Sequence, residues 1–453
     1  MSEYKDKGSL DHPGSWFLNR GLFSDHFLKA RLPKEEEWKC DGELATFRKQ
    51  LLSLYESTKA ILPLANEAQT EKEFVQPVLD LLGYANSYIV QAPTQIGQHT
   101  NRPDYALFPD QPTKNKAYEK LKNNDYTLCI GVADAKYWER ELDLATASDR
   151  DTFTNQNPSF QVASYLTGTK QAWGILTNGR LWRLYSAKSH LPLGNYYQVD
   201  LVQLLDSPDE ALKYFYLFFR KAALLQVDSK TFIDRVLEDS NQYAIELEAD
   251  IKERAYEVVE VLCRGFTAGF AHDQLTEQTL RSAYDNSLTL LYRLLFVFYA
   301  EARELLPLTT NQSYRDKYSN HKLTQEIDET LAKGYQLSSK STIYYQRIDS
   351  LFKLIDEGDP DLGVPEYNGG LFDPEEHPFL EEHAIADAFL VQAINQLARI
   401  PDKKLGYEVA VDYNTLSERH LGNIYEGLLE FKPRIAPSDL VTIKDKGSTK
   451  YAG

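Results

Sequence analysis

Arg102-Pro103-Asp104-Tyr105-Ala106-Leu107-Phe108 and Cys129-Ile130-Gly131-Val132-Ala133-Asp134-Ala135-Lys136 are two short, mostly apolar runs that each carry a carboxylate. Their length and composition predict two buried strands. A charged group inside such a run is costly to bury unless it is paired or bound to a metal. Asp134 follows Asp104 by 30 residues, and Lys136 stands two residues further on. Two carboxylates and a lysine on neighbouring strands are the groups a Mg²⁺-dependent phosphodiesterase needs. The hard cation takes oxygen ligands, polarises the scissile phosphate and activates a water. The lysine is a cationic donor beside the developing negative charge. The plainer alternative is two strand-edge carboxylates and a surface lysine.

Upstream, Phe74, Val75, Val78, Leu79 and Leu82 recur with helical period. They predict a helix over about 70–82, capped by Thr70 and stopped by Gly83. Glu67, Glu71 and Glu73 lie at or near its start, where the helix macrodipole favours acidic residues whatever their role. An earlier helix is expected over 43–62. Downstream, Pro158-Ser159-Phe160 opens a helix that carries Gln161 and Tyr165 on one face. Ala172–Thr177 and Leu181–Tyr185 read as strands joined by an Asn178-Gly179 hairpin turn. Strands are also expected at 88–91, 105–108 and 128–135. The stretch 109–124 reads as an exposed loop or short helix, and 140–157 is polar. These elements predict an α/β domain with a mixed sheet flanked by helices. Beyond Asp206 the texture becomes α-helical, with 311–341 as a long loop or weakly ordered helix.

The whole chain has 453 residues, enough for two or three domains. Divisions are expected at 1–42, an N-terminal arm; 43–205, the α/β domain; and 206–453, an all-α connector. No apolar run reaches transmembrane length and no membrane is expected. The first residues lack the basic and apolar regions of a signal peptide. Three scattered cysteines, Cys40, Cys129 and Cys263, form no disulfide framework, so a reducing cytoplasm is the simplest location. A net charge of −17 argues against a surface coated for nonspecific nucleic-acid binding. A local basic face from Lys114, Lys116, Lys120, Lys122, Arg140, Arg180 and Arg183 remains compatible with it. His377 and His383, six apart around a proline, do not share a helical face and are not expected to bind metal.

The order and spacing of Pro103-Asp104 and Asp134-Ala135-Lys136 resemble the PD-(D/E)xK nucleases. Gln161-Val162-Ala163-Ser164-Tyr165 is similar to the Gln-x-x-x-Tyr element of RecB-like and type I restriction nucleases. Further pieces spread along nearly the whole chain: Leu22–Leu28, Gln76–Tyr84, Trp173–Trp182, Tyr292–Phe296, Tyr367–Phe372 and Leu421–Glu430. In this order they resemble the N-terminal half of type IIG restriction–modification enzymes, which fuse a nuclease to an adenine-N6 DNA methyltransferase.

The resemblance implies a restriction-endonuclease-like fold followed by a helical connector. It implies a Mg²⁺-dependent endonuclease acting on double-stranded DNA, with Asp104 and Asp134 holding the metal, helped by the Ala135 carbonyl. A third carboxylate would come from Glu71 or Glu73. Lys136 would orient or activate the water, while Gln161 and Tyr165 support the site or the DNA backbone. Nucleases of this kind often pair transiently to cut both strands. The Asn-Pro-Pro-Tyr and S-adenosylmethionine motifs of the methyltransferase are not in this sequence. A truncated or split protein is therefore expected, with methyltransferase and target-recognition domains elsewhere. The rival expectation is a noncatalytic nuclease-fold scaffold that binds DNA or a partner within a defence methyltransferase. A weaker third is a helical interaction module with a merely structural N-terminal domain.

Overall fold

The computed structural model describes residues 16–91, 102–143, 157–189, 194–271, 274–367, 369–402, 406–428, 441–445 and 448–452. Residues 1–15 of the expected arm, most of the polar stretch 140–157, Asn368, and Leu429 and Glu430 of the last motif lie outside them. Compact packing divides the chain into two units, Met1–Tyr243 and Ala244–Gly453. Among the described residues no helix is long and apolar enough to cross a membrane.

The first unit is built on a seven-stranded mixed sheet. Its strands are β1 (Leu18–Asn19), β2 (Tyr88–Val90), β3 (Tyr105–Leu107), β4 (Gly131–Ala135), β5 (Trp173–Thr177), β6 (Leu181–Ser186) and β7 (Tyr196–Asp200), in the order β1-β7-β6-β5-β4-β3-β2. Only β4 and β5 run parallel. Side chains alternate between the two faces. Tyr105, Leu107, Ala133, Trp173, Ile175, Trp182, Leu184, Tyr197 and Val199 form one core with the Asp41–Thr58 and Asp209–Phe219 helices. Ala106, Val132, Leu176 and Tyr185 form the other with the Gln111–Leu121 and Pro158–Thr169 helices. Covering both faces explains why these strands are continuously apolar.

Pro158–Thr169 is the crossover that the parallel pair requires. It lies so close to β5 that a Cβ at Gly174 would meet Val162 at 2.9 Å. Residues 109–124 resolve the two expectations in favour of a helix, Gln111–Leu121, capped by Asp110. The Asn178-Gly179 hairpin is present. Asn178 Oδ1 accepts from the Arg180 and Leu181 N–H groups at 3.1 and 2.7 Å. Gly179 has φ +89°, and a Cβ there would lie 3.0 Å from Trp138 and 3.3 Å from Phe74.

The division after Tyr243 differs from the expected one at 205/206. Phe215, Phe218 and Phe219 of the Asp209–Phe219 helix pack edge-on or tilted against Trp182 and Tyr197. The aromatic stretch that reads as the start of a helical domain is thus one layer of the sheet domain. The lead-in segment belongs there too: Phe17, Leu22, Phe23, Phe27 and Leu28 are buried in the same core, and β1 adds an edge strand to β7.

The second unit is mainly helical, with Glu277–Ala302, Asn320–Ala332, Ile343–Glu357, Asp387–Ala398 and Glu418–Leu428 among its elements. The stretch 311–341, expected to be loop or weak helix, contains two capped helices, Gln312–Lys317 and Asn320–Ala332. Their stability has a specific source. Buried Glu301 accepts hydrogen bonds from the Tyr314 hydroxyl at 2.8 Å and from the Asn320 and His321 N–H groups at 2.7 and 2.8 Å. The carboxylate supplies acceptors that the first turn of Asn320–Ala332 lacks.

Two predictions follow from these packing details. Gly179→Ala should cost about 1–3 kcal/mol, read as a lower urea midpoint, because strain and overpacking act together; an unchanged midpoint would contradict the turn geometry. Burial pushes the Glu301 carboxyl up to about 7, against the pull of its three donors. The folded state then binds this proton more tightly than the unfolded chain, where a glutamate titrates near ~4.3. Stability should therefore fall as pH rises from about 4.3 to about 7 and level off above. In Glu301→Gln that slope should disappear; parallel pH profiles for the two proteins would refute the assignment.

Candidate active site

Extending the β3/β4 register by one residue past the pair Tyr105–Ala133 places Asp104 opposite Asp134. Both lie where the β3/β4 ladder ends. Asp104 Oδ2 accepts the Ala135 N–H at 2.9 Å, which ties the two strand ends together. The Asp104 carbonyl accepts from Gln91 N at 2.6 Å, and Lys136 N donates to the Thr177 carbonyl at 2.8 Å. Backbone bonds on three strands therefore fix where the three side chains begin.

Asp134 is 1% exposed and Lys136 is buried. Lys136 Nζ lies 2.6 Å from Asp134 Oδ2. The two side chains form a short, buried ion pair. Burial alone would lower the Lys136 pKa, but Asp134, Asp104 and Glu67 hold it above the ordinary value. Asp104 is pushed well above the usual carboxylate range by burial and by Asp134, with Glu71 adding to the shift and Lys136 and the Ala135 N–H opposing it.

The helical run from Glu67 to Tyr84 supplies the remaining acids. Its start is set by Asn66, not Thr70, through a capping box with Gln69. Glu71 is buried and accepts the Tyr105 hydroxyl at 2.6 Å. Burial raises its pKa; Asp134 adds to this, while the Tyr105 bond and Lys136 oppose it. Glu73 is exposed, so of the two sequence candidates the structure brings Glu71 to the aspartates and leaves Glu73 out. Glu67, one α-turn before Glu71, acts electrostatically on both Lys136 and Tyr165. It was missed as a site residue because the helix was expected to begin at Thr70. Asn66 three residues before Gln69 is the sequence signal that places it in the first turn.

On the other side, Gln161 and Tyr165 are buried on Pro158–Thr169, which packs on β4 and β5. Burial, then Asp134, Asp104 and Glu67, raise the Tyr165 hydroxyl pKa, so this residue shares the field of the site. Gln161 Oε1 is buried without a hydrogen-bond partner.

The basic face that the net charge leaves open is not built from its arginines. Arg140 and Arg183 are buried. Arg183 makes a bidentate pair with Asp143 at 2.6 and 2.7 Å and stacks over Tyr196, while Arg180 pairs with Asp200. Lys120 and Lys122 face Asp125 and Glu119. The guanidinium groups sit beside strands whose interior needs paired charge. In the second unit, His377 and His383 direct ring nitrogens to the Gly370 and Phe379 carbonyls at 2.9 and 3.1 Å.

Glu67, Glu71, Asp104 and Asp134 outnumber the Lys136 ammonium. This chemistry suits a hard divalent cation. Among the described residues, no three His, Cys, Asp or Glu side chains already stand as an assembled metal cluster. The facing groups explain this: Asp134 turns to Lys136, Asp104 to the Ala135 N–H, and Glu71 to Tyr105. Comparison with family models, curated proteins and solved structures returns no match.

Millimolar Mg²⁺ should raise the thermal unfolding midpoint of the wild-type chain, since a ligand bound only by the folded state stabilises it by about 2.7 kcal/mol at a hundred times its Kd. Asp134→Asn should abolish most of that rise. Equal Mg²⁺ responses in the two proteins would exclude Asp134 as a ligand.

Proposed function

We propose that the first unit is a Mg²⁺-dependent DNA endonuclease module with a restriction-endonuclease-like fold, of the PD-(D/E)xK kind. The observation that carries this reading is the convergence of Asp104, Asp134 and Lys136 at the end of one β-ladder, two of them buried in ionic contact at 2.6 Å. Asp104 and Asp134 would hold the cation, with Glu71 and the Ala135 carbonyl completing the oxygen donors. When bound, the metal supplies charge neutralisation at the phosphate and an acidified water.

The protein's own groups do the rest. Lys136, kept charged by the surrounding carboxylates, presents an ammonium to the negative charge that develops on the phosphate oxygens. Asp104 is locked to β4 through the Ala135 N–H, so the carboxylates keep their spacing. Tyr165 shares the field of the site from the helix side, and buried Gln161 would support it. Double-stranded DNA would be the substrate. Sequence readout would come from the methyltransferase and target-recognition domains that the resemblance implies, in keeping with the acidic charge of this chain.

One observation favours a second reading, a noncatalytic nuclease-fold module: Lys136 already neutralises Asp134. Nicking of supercoiled plasmid separates the two. The wild-type chain should nick with Mg²⁺ or Mn²⁺ and not with chelator. Asp104→Asn, Asp134→Asn and Lys136→Ala should each lower the rate at least a hundredfold, the order of loss when one charge-stabilising group is removed. Nicking retained in Asp134→Asn would sink the nuclease reading. If wild type and variants were all inert, including with the implied methyltransferase half supplied, the noncatalytic module would stand.

A further inference from the structure

We propose that Arg102 is a phosphate-binding residue, its guanidinium holding the backbone of double-stranded DNA at the rim of the site, beside Asp104. This rests on the nuclease reading above.

The position is built by two strands that end together. Gln91 donates its N–H to the Asp104 carbonyl at 2.6 Å, one step past the Val90–Tyr105 pair. Gln91 itself has φ +46°, a left-handed conformation that residues other than glycine seldom adopt. The chain leaves the sheet there, and the Gln91 side chain meets residue 102: Arg102 Nη2 donates to Gln91 Oε1 at 3.5 Å. Pro103 is buried, and its ring fixes φ, so the backbone between Arg102 and Asp104 is a stiff step. Arg102 is partly exposed and stands at the same strand end as Asp104, two residues away.

What Arg102 lacks is a charged partner. A guanidinium offers several N–H donors in a planar fork that matches phosphate oxygens. Arg102 uses one of them, at long range, on a neutral amide, and among the described residues no carboxylate pairs with it. Other arginines of this unit are committed to acids: Arg48 to Asp209, Arg180 to Asp200, Arg183 to Asp143, Arg220 to Glu43 and Arg235 to Glu37. The site itself is rich in carboxylates, which repel a phosphate backbone. Lys136 is held inside the site by its buried ion pair with Asp134 and cannot serve phosphates at the rim. Arg102 supplies positive charge where the backbone would enter. Its field also reaches the core that Tyr165 shares: burial and Cys129 raise the Tyr126 hydroxyl pKa, and Arg102 opposes them.

The test is binding of a short labelled duplex by the full chain, followed by fluorescence anisotropy over a range of salt, with chelator present so that nothing is cut. Arg102→Gln should weaken binding evenly across duplex sequences. It should also reduce the slope of log affinity against log salt by about 0.9, the share of one phosphate contact on duplex DNA. Arg102→Lys keeps the charge and should keep the slope. Lys49→Gln removes an equal charge from an exposed position of the Asp41–Thr58 helix, which covers the other face of the sheet, and should leave the slope unchanged. A wild-type slope in Arg102→Gln, equal reductions in Arg102→Gln and Lys49→Gln, or no duplex bound by the wild-type chain at low salt would each overturn the proposal, and Asp134-dependent nicking would still uphold the nuclease reading. Nicking that survives Asp134→Asn would sink that reading, while a slope that depends on Arg102 would still support the phosphate contact.

Discussion

The joint burial of Asp134 and Lys136 beside Asp104 is the constraint around which the first unit is organised. Each ion removed from water costs several kcal/mol, and their attraction offsets this only with good geometry and further polar partners. The protein meets that condition with backbone. The β3/β4 register sets Asp104 against Asp134, the Ala135 N–H satisfies one Asp104 oxygen, and the Thr177 carbonyl anchors Lys136. Both faces of the sheet are covered, so water does little to screen the carboxylates from one another. The result is an excess of negative charge in a semi-buried place, which is what a divalent cation can neutralise.

The elements around this point serve it from two layers. The Glu67–Tyr84 run brings Glu71 from one face, and Pro158–Thr169 brings Tyr165 and Gln161 to the other core. Trp138, two residues beyond Lys136, packs edge-on against Phe74 at 5.4 Å and stacks at 6.3 Å on Tyr55. The same Phe74 lies against Gly179 of the hairpin. The helix that carries Glu71 is therefore wedged against the strand ends by aromatic contacts immediately behind the charged groups, so packing and electrostatics position the same atoms.

Charge elsewhere in the unit is used internally. Arg183 is consumed by Asp143, Ser159 and Tyr196, and Arg180 by Asp200, which also caps the Leu201–Leu205 helix. These arginines tie the β6/β7 region together. The acidic balance of the chain and the internal pairing of these arginines leave the β6/β7 region without a basic face built from Arg180 and Arg183.

Much of this was legible in the sequence for local reasons. Short apolar runs, Asn178-Gly179 and the Phe74–Leu82 periodicity each encode their own element, because strand burial, a positive-φ turn and a helical stripe depend on neighbours a few residues away. Asp104, Asp134 and Lys136 stood out because charge inside an apolar run is anomalous wherever it occurs. The choice of Glu71 over Glu73 was not legible: it depends on which helix face meets β3, and on a π-turn that shifts that face. Glu67 was hidden by placing the cap at Thr70 instead of Asn66. Tyr105 read only as an apolar strand residue. The arginines read as surface because their partners, Asp143 and Asp200, are 40 and 20 residues away in the chain. The sequence by itself determined the strands β2 to β6, the turn, the Phe74–Leu82 helical stripe and the anomalous charges, whereas β1, β7 and the helices within 311–341 were not read from it. Which charges share one site, and which cations are spent on the fold, was decided only by tertiary structure, since electrostatic partnership acts through space between segments with no local relation.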